Sequence, residues 1–336
     1  MEDSQRQHQE RRVAPHYSVI LPAYNEAEGL AGIVDRVIRS LEEAECDPYE
    51  VVVVDDGSTD ESWAQVVAIS ETRGAGVIRG LRLSRNFGHQ IAVYAGIQAS
   101  SGSRVAVLDC DGQDPPELLG PMFAQLDEGY DVVNAVRRQR RGSILRRLGY
   151  FAFYRLFSRA VPFRVPLDSG DFCVMGPRVA DTIRRSRLHS PFIRGLRSWI
   201  GGRQVDFPYP RGTREFGRSK YGFVGLVLLG AQGITSFSKV PLRMAVLMGG
   251  LISLASICYA VTIVAMKVLL GYPEFSGWAS LASLVTFLGG IQLMTIGVVG
   301  EYVGQIFESV RGMPAYVIHE HSGFDSGFEP PGRFPL

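Results

Sequence analysis

The sequence is short of net charge and of cysteine. Across 336 residues, 35 lysines and arginines stand against 34 aspartates and glutamates, a net charge of +1. That balance excludes a generally basic nucleic-acid binder and leaves room only for local basic patches. The four cysteines, Cys46, Cys110, Cys173 and Cys258, are scattered, and none forms a C-x-x-C pair. A disulfide framework or structural zinc site is therefore disfavoured, and a reducing compartment fits. No G-x-G-x-x-G follows the first apolar run, which argues against a dinucleotide-dependent oxidoreductase. Residues 1–16 hold no apolar segment; they are polar and mixed in charge, and read as a disordered tail rather than a secretory signal. Low complexity is absent as well, and the length suits about two domains.

Charge is also missing from two long stretches. Met244–Met266 and Phe275–Gly300 contain no charged residue. At about 1.5 Å per helical residue, each is long enough to cross a hydrocarbon core of roughly 30 Å. Two such runs in tandem with polar flanks predict two transmembrane helices, at about 244–266 and 276–300 within a 242–310 membrane domain, rather than two buried core helices. Lys220, Lys239 and Arg243 precede the first run and Arg311 follows the second, whereas the turn from Lys267 to Glu274 is nearly neutral. Positive flanks at both outer ends predict a multi-pass protein of the inner membrane with its N-terminal domain and its 311–336 tail in the cytoplasm. Residues 219–241 read as interfacial helix; Tyr221–Ser238 is apolar but carries Gly222, Gly225, Gly230 and Gly233, and a third span is the alternative.

What is present begins with an alternation over residues 17–218. Apolar runs at Tyr17–Leu21, Val51–Asp55, Val77–Leu83, Val105–Asp109 and Asp131–Val136 are separated by amphipathic stretches. Strand alternating with helix predicts an α/β domain of Rossmann-like type with a mainly parallel sheet. Ligands of such sheets bind beyond the carboxyl ends of the strands, so the residues after each strand are where chemistry is expected.

Acids crowd those positions. Pro22-Ala23-Tyr24-Asn25-Glu26 closes the first run and Asp55-Asp56-Gly57-Ser58-Thr59-Asp60 the second. Glu26, Asp55 and Asp56 can accept hydrogen bonds from a base or ribose, and Tyr24 can pack on a base; taken singly, each is equally a turn or helix cap. The fourth run ends in Asp109-Cys110-Asp111-Gly112-Gln113-Asp114. Two carboxylates two residues apart at a bend can share one hard cation, Mg²⁺ or Mn²⁺, and Gln113 can add a carbonyl oxygen. Downstream, Arg137, Arg138, Arg140, Arg141, Arg146 and Arg147 put six arginines in eleven residues. They suit either a phosphate, with Arg137, Arg138, Arg141 and Arg147 the chosen contacts, or an anionic lipid surface. Pro166-Leu167-Asp168-Ser169-Gly170-Asp171 supplies two further acids after a proline turn.

These motifs together resemble the family 2 glycosyltransferases of the GT-A fold. More narrowly, the chain is similar to the polyprenyl-phosphate glycosyltransferases, the group of the bactoprenol glucosyltransferases and dolichol-phosphate mannose synthase. The resemblance rests on Val19–Glu26, Val54–Asp60, Ser84-Arg85-Asn86-Phe87-Gly88-His89-Gln90, Asp109–Glu117 and Gly217-Arg218-Ser219-Lys220-Tyr221. One departure is Gly112, where the group has an apolar residue. The resemblance implies a nucleoside pocket of Pro22, Tyr24, Glu26 and Asp56, a donor-site loop from Arg85 to Gln90, and a metal and diphosphate site at Asp109, Asp111 and Gln113. It implies Asp171 as the catalytic carboxylate, with Asp168 in reserve, and a basic loop in which Arg214 and Lys220 close over the diphosphate. The activity implied is inverting transfer of a sugar, glucose from UDP-glucose first, to polyprenyl phosphate. GDP-mannose and UDP-aminosugar or arabinose donors are the alternatives, and a non-catalytic nucleotide-binding membrane scaffold is the rival of another class. A homo-oligomer, tetrameric in similar enzymes, is also implied. A processive polysaccharide synthase would carry Q-x-x-R-W, and here only Arg197-Ser198-Trp199 is found.

Overall fold

Side-chain alternation in the first two strands dictates the layering. In β1 (Tyr17–Ala23) and β2 (Tyr49–Asp55), Val19, Leu21, Val51 and Val53 enter one core, and Ile20, Val52 and Val54 enter another on the opposite face. Strands buried on both faces read as unbroken β-branched runs, which is why Val51–Val54 carries no polar residue. The computed structural model describes residues 15–73, 76–137, 169–189, 191–210, 240–270, 277–324 and 328.

The helices follow from the same two cores. Helix α1 (Leu30–Glu43) buries Ile33, Val34, Val37, Ile38 and Leu41, the spacing of one helical face. With α2 (Ser62–Thr72) and α4 (Leu119–Asp127) it covers the Val19 face. Helices α3 (His89–Ala99), α5 (Pro177–Arg185) and α6 (Ile193–Ile200) cover the Ile20 face. Each fully buried Val, Leu or Ile contributes roughly 1.5–3 kcal/mol.

Between these helices run β3 (Ile78–Leu83), β4 (Arg104–Val107), β5 (Val132–Arg137), β6 (Ser169–Met175) and β7 (Gln204–Tyr209). The sheet order is β7-β5-β6-β4-β1-β2-β3 with an eighth strand, β8 (Ile318–Ser322), on the β3 edge. Strands β1–β4 are parallel, as are β5 and β7, while β6 opposes β4 and β5, and β8 opposes β3. The expected mainly parallel α/β architecture is therefore present, with β6 and β8 reversed. Residues 318–322, read from sequence as tail, are the edge strand of the first domain. Their sequence, Ile-His-Glu-His-Ser, has no apolar run because an edge strand buries little.

A second unit contains two long helices, α7 (Val240–Leu270) and α8 (Trp278–Arg311), which pack on one another. Both have windows long and apolar enough to cross a membrane, Leu242–Tyr259 and Ser283–Arg311. They present apolar side chains outward, among them Leu247, Leu251, Ile257, Leu293 and Met294. At 31 and 34 residues they are longer than the two charge-free runs: α7 extends past its run at both ends, and α8 starts three residues into its run and continues past its end to Arg311. The stretch 221–238, read from sequence as interfacial helix, lies outside the described residues.

Candidate active site

Because β1–β4 are parallel, their carboxyl ends share one edge. There the loops after β1 and β2 are stitched together by short polar side chains. Asn25, in the left-handed region at φ 55°, donates its amide to Ser58 Oγ at 2.9 Å, and its Oδ1 accepts from the Thr59 amide at 2.9 Å. The Glu26 amide donates to Ser62 Oγ (3.1 Å) and the Ala27 amide to Asp60 Oδ2 (3.2 Å). Ser58, Thr59 and Asp60 are thus braces.

The two acids of this motif are braces too. Asp55 is wholly enclosed; its Oδ1 accepts from the Ser58 amide at 3.0 Å, and its Oδ2 lies 3.5 Å from Arg82 Nε. Asp56 is only 3% exposed, and its two oxygens accept from the Phe87 and Gly88 amides at 2.8 and 2.9 Å. Burial raises both carboxyls above the usual range, against those hydrogen bonds. Gly57, at φ 69°, lets this turn meet the β3 loop: a Cβ there would fall 2.4 Å from the Arg85 carbonyl carbon. Enclosure leaves Asp55 with no surface for a ligand. Pro22 is buried at the end of β1, Tyr24 and Glu26 are half-buried beside it, and Arg85 is exposed, its guanidinium 4.0 Å over the Phe87 ring.

The loop after β4 is anchored at three points. Asp114 takes the Tyr209 hydroxyl, the Pro116 carbonyl accepts from Ser40 Oγ at 2.7 Å, and Glu117 receives Arg36 Nε and Nη2 at 3.1 and 2.9 Å. Gly112 sits at φ 71°, a conformation that favours glycine, so its departure from an apolar residue shapes the turn. Within the loop Asp111 folds onto Gln113: Oδ1 accepts the Gln113 amide at 3.1 Å and Oδ2 its Nε2 at 2.9 Å. Asp109 Oδ1, like Asp55 Oδ2, is buried with no hydrogen-bond partner among the described residues and lies 3.5 Å from a cationic nitrogen, here His89 Nε2; unlike the enclosed Asp55, the Asp109 side chain is 26% exposed and open to a ligand. Burial pushes its carboxyl up to about 6; His89 opposes this, and Asp171, Asp114 and Asp111 add to it.

Asp171, on β6, faces the same place and is heavily bonded. Arg194 of α6 grips it in a fork, Nε to Oδ1 at 2.8 Å and Nη2 to Oδ2 at 3.1 Å. His89 Nε2 lies 2.9 Å from Oδ2, and Gln90 Nε2 donates to Oδ1 at 3.1 Å. Gln90 Oε1 in turn accepts the Ile193 amide at 3.0 Å, tying the starts of α3 and α6. Burial would raise the Asp171 carboxyl, but Arg194 and His89 outweigh it and hold it well below the usual range. Burial would lower the His89 imidazole, yet Asp109 and Asp171 lift it to about 9. Asp171 is therefore an ionised, oriented group and a weak proton acceptor.

One ligand atom each from His89, Asp109 and Asp171 falls within 4.8 Å of the others. A cation reaching Asp171 would have to displace a guanidinium; one reaching Asp109 meets an oxygen that accepts no hydrogen bond and has His89 nearby, at 3.5 Å. The oxygen set Asp109, Asp111 and Gln113 fits Mg²⁺ or Mn²⁺, with Asp109 as its anchor.

Arg137 closes β5 on the other side of β6. Arg138, Arg141, Arg147, Asp168, Arg214 and Lys220 lie outside the described residues. The sequence reading places His89 only within the donor-site loop from Arg85 to Gln90 and does not single out Arg194, a half-buried cation on a helix whose buried residues are Ile193, Gly195, Leu196, Arg197 and Ser198. A charge on an otherwise enclosed helical face was the available signal.

Residues 18–183 match the family described as Glycosyl transferase family 2. An uncharacterized glycosyltransferase of Synechocystis sp. is 35% identical over 309 residues, covering 92% of this chain and 96% of its own. The undecaprenyl-phosphate 4-deoxy-4-formamido-L-arabinose transferase of Serratia proteamaculans is 33% identical over 313 residues, covering 91% of this chain and 94% of its own. Among solved structures, a mannosyltransferase from Pyrobaculum calidifontis in complex with GDP-Man and Mn²⁺ is similar at TM-score 0.46 and 18% identity, covering 89% of this chain and 87% of that one.

Proposed function

The chain belongs to glycosyl transferase family 2, and on that premise we propose that it moves a sugar from a nucleotide-sugar to a polyprenyl phosphate at the cytoplasmic face of a membrane. The observation that carries this reading is the Asp109 Oδ1 at the carboxyl edge of the sheet, buried with no hydrogen bond on a partly exposed side chain, beside Asp111 and the pinned Asp171. Asp109, Asp111 and Gln113 would hold Mg²⁺ or Mn²⁺. When bound, such an ion neutralises a diphosphate leaving group. Pro22, Tyr24, Glu26, Arg85 and Gln90 would line the donor pocket, with Asp55 and Asp56 holding its loops. Arg214 and Lys220 would cover the diphosphate.

The acceptor needs little help to react. A phosphate monoester, with a second pKa near ~6, is largely dianionic at neutral pH and already a nucleophile. Asp171, ionised and clamped, then orients the acceptor rather than deprotonating it, and Asp168 is the reserve. Arg137, Arg138, Arg141 and Arg147 would seat the acceptor's phosphate. A single displacement inverts the anomeric carbon.

The lipid acceptor is supported by the name of the Serratia relative and by the two long apolar helices. Chain connectivity supports the orientation. Strands β7 and β8 belong to one sheet, so the stretch between them begins and ends on the same side of any membrane it crosses. Two crossings meet that requirement, and 221–238 then lies along the surface. Glucose from UDP-glucose is the first donor; the Serratia relative's name favours an aminosugar-arabinose donor as second, and GDP-mannose is third.

The test is a panel of radiolabelled nucleotide-sugars offered with undecaprenyl phosphate and Mg²⁺ or Mn²⁺. One donor is expected to label the lipid. Nucleotide binding without labelled lipid from any donor would overturn the enzyme reading in favour of a scaffold.

A further inference from the structure

The segment that returns from α8 does more than end the chain. Val317 accepts the Ser84 amide at 2.9 Å, where the Ser84–Gln90 loop leaves β3. Glu320, opposite Arg82 in the β3–β8 ladder, takes Arg82 Nη1 at 3.1 Å and Trp63 Nε1 at 2.7 Å. The same Arg82 approaches Asp55, which caps the β2 loop. Tyr316 is 3% exposed, packs edge-on against Tyr94 and donates its hydroxyl to Gln98 Oε1 at 2.8 Å. Gln98 Nε2 in turn donates to the Tyr94 hydroxyl at 2.9 Å, and both lie on α3, the helix that opens with His89 and Gln90.

We infer that Tyr316 and Glu320 are positioning residues for the donor site: the returning segment sets the Ser84–Gln90 loop through Glu320–Arg82–Asp55, and it holds α3, the helix this loop leads into, from its C-terminal end through Tyr316–Gln98. An edge strand that only stabilised the sheet would have no reason to pair with the arginine that approaches Asp55, or to anchor the helix that follows the Ser84–Gln90 loop. The chain that emerges from the apolar helices thereby becomes part of the machinery at the strand ends. This inference rests on the proposed donor site.

Tyr316→Phe and Glu320→Gln keep side-chain volume; the first removes the hydroxyl that donates to Gln98, and the second removes the charge and one of the two oxygens that receive Arg82 and Trp63. Two readouts decide the matter on the full chain in detergent. Amide hydrogen exchange at residues 84–90 is expected to quicken at least three-fold in each variant, with β1 unchanged; unchanged exchange there overturns the inference whether or not any donor is found. With the donor that labels lipid, KM for the nucleotide-sugar is expected to rise about 3- to 10-fold, with KM for undecaprenyl phosphate within two-fold of wild type. Equal changes in both constants, or none, overturn it. Should Glu320→Gln fail to fold, Tyr316→Phe decides alone. A wild type inactive with every donor would sink the proposed function instead, leaving the exchange result to judge the link.

Discussion

One sheet carries a carboxylate with buried oxygen at each end, one wholly enclosed and one partly open, and the two are treated in opposite ways. Glu50, near the start of β2, is fully enclosed and fully partnered: it receives Ser18 Oγ at 2.6 Å, the Ser101 amide at 2.6 Å and the Gly102 amide at 3.1 Å, and it pairs with Arg79. Asp109, beyond the end of β4, keeps a buried oxygen without a hydrogen bond. A buried carboxylate oxygen that accepts no hydrogen bond is costly even beside a cation such as His89, so it persists where something else is served. The contrast separates a carboxylate that holds the fold from one that waits for a ligand.

The largest expected effect would break the comparison at its functional end. Asp111→Ala or Asp109→Asn should lower sugar transfer by about 10³-fold or more, the scale of about 4 kcal/mol in the barrier. Melting of metal-free Asp109→Asn should match or exceed wild type at pH 7.5, because the folded-state pKa of about 6 lies above the ordinary 3.8 and makes ionised Asp109 a burden. A clear loss of melting temperature would place Asp109 with Glu50 as a structural group. At the other end, Glu50→Ala should cost about 3 kcal/mol of stability by stranding Arg79, while turnover per folded molecule holds. Lost turnover without lost stability would erase the distinction.

Asp171 sharpens the contrast, since it is partnered like Glu50 yet faces Asp109. Asp171→Asn should lower kcat by about 10²-fold through misplaced reactants, with nucleotide affinity retained. Unchanged kcat would assign it to structure alone. A smaller effect concerns His89, which is faced by Asp109, Asp171 and, through Asp171, Arg194. Its folded pKa of about 9 exceeds the ordinary 6.5. Its contribution to stability is therefore complete below pH 6.5 and lost as pH rises towards 9. Melting of the metal-free wild type should fall across that window, and melting of His89→Gln should fall less; parallel curves would remove His89 as the cation between the two acids.

Much of this was legible in sequence because local chemistry repeats locally. The valines of β2, the D-x-D after β4 and the two charge-free runs each lie within one stretch of chain. The rest depends on distant pairings. Asp60 accepts the Ser62 amide at 3.0 Å at the start of α2, as a helix cap does, but with Ser58 it also holds the loop after β1, because Asn25 and Ala27 are brought beside them by the parallel β1–β2 register. Arg194 acquires its role from Asp171, 23 positions earlier, and Glu320 from Trp63, 257 positions earlier. Strand β8 has neither an apolar run nor alternation, since its placement is set by the β3 edge rather than by its own burial.

Calorimetric titration of Mn²⁺ with UDP into the purified protein tests the Asp109 assignment most directly. Stoichiometric binding by wild type, abolished in Asp109→Asn and intact in Glu50→Gln, is the predicted result. Equal Mn²⁺ binding by wild type and Asp109→Asn would contradict it.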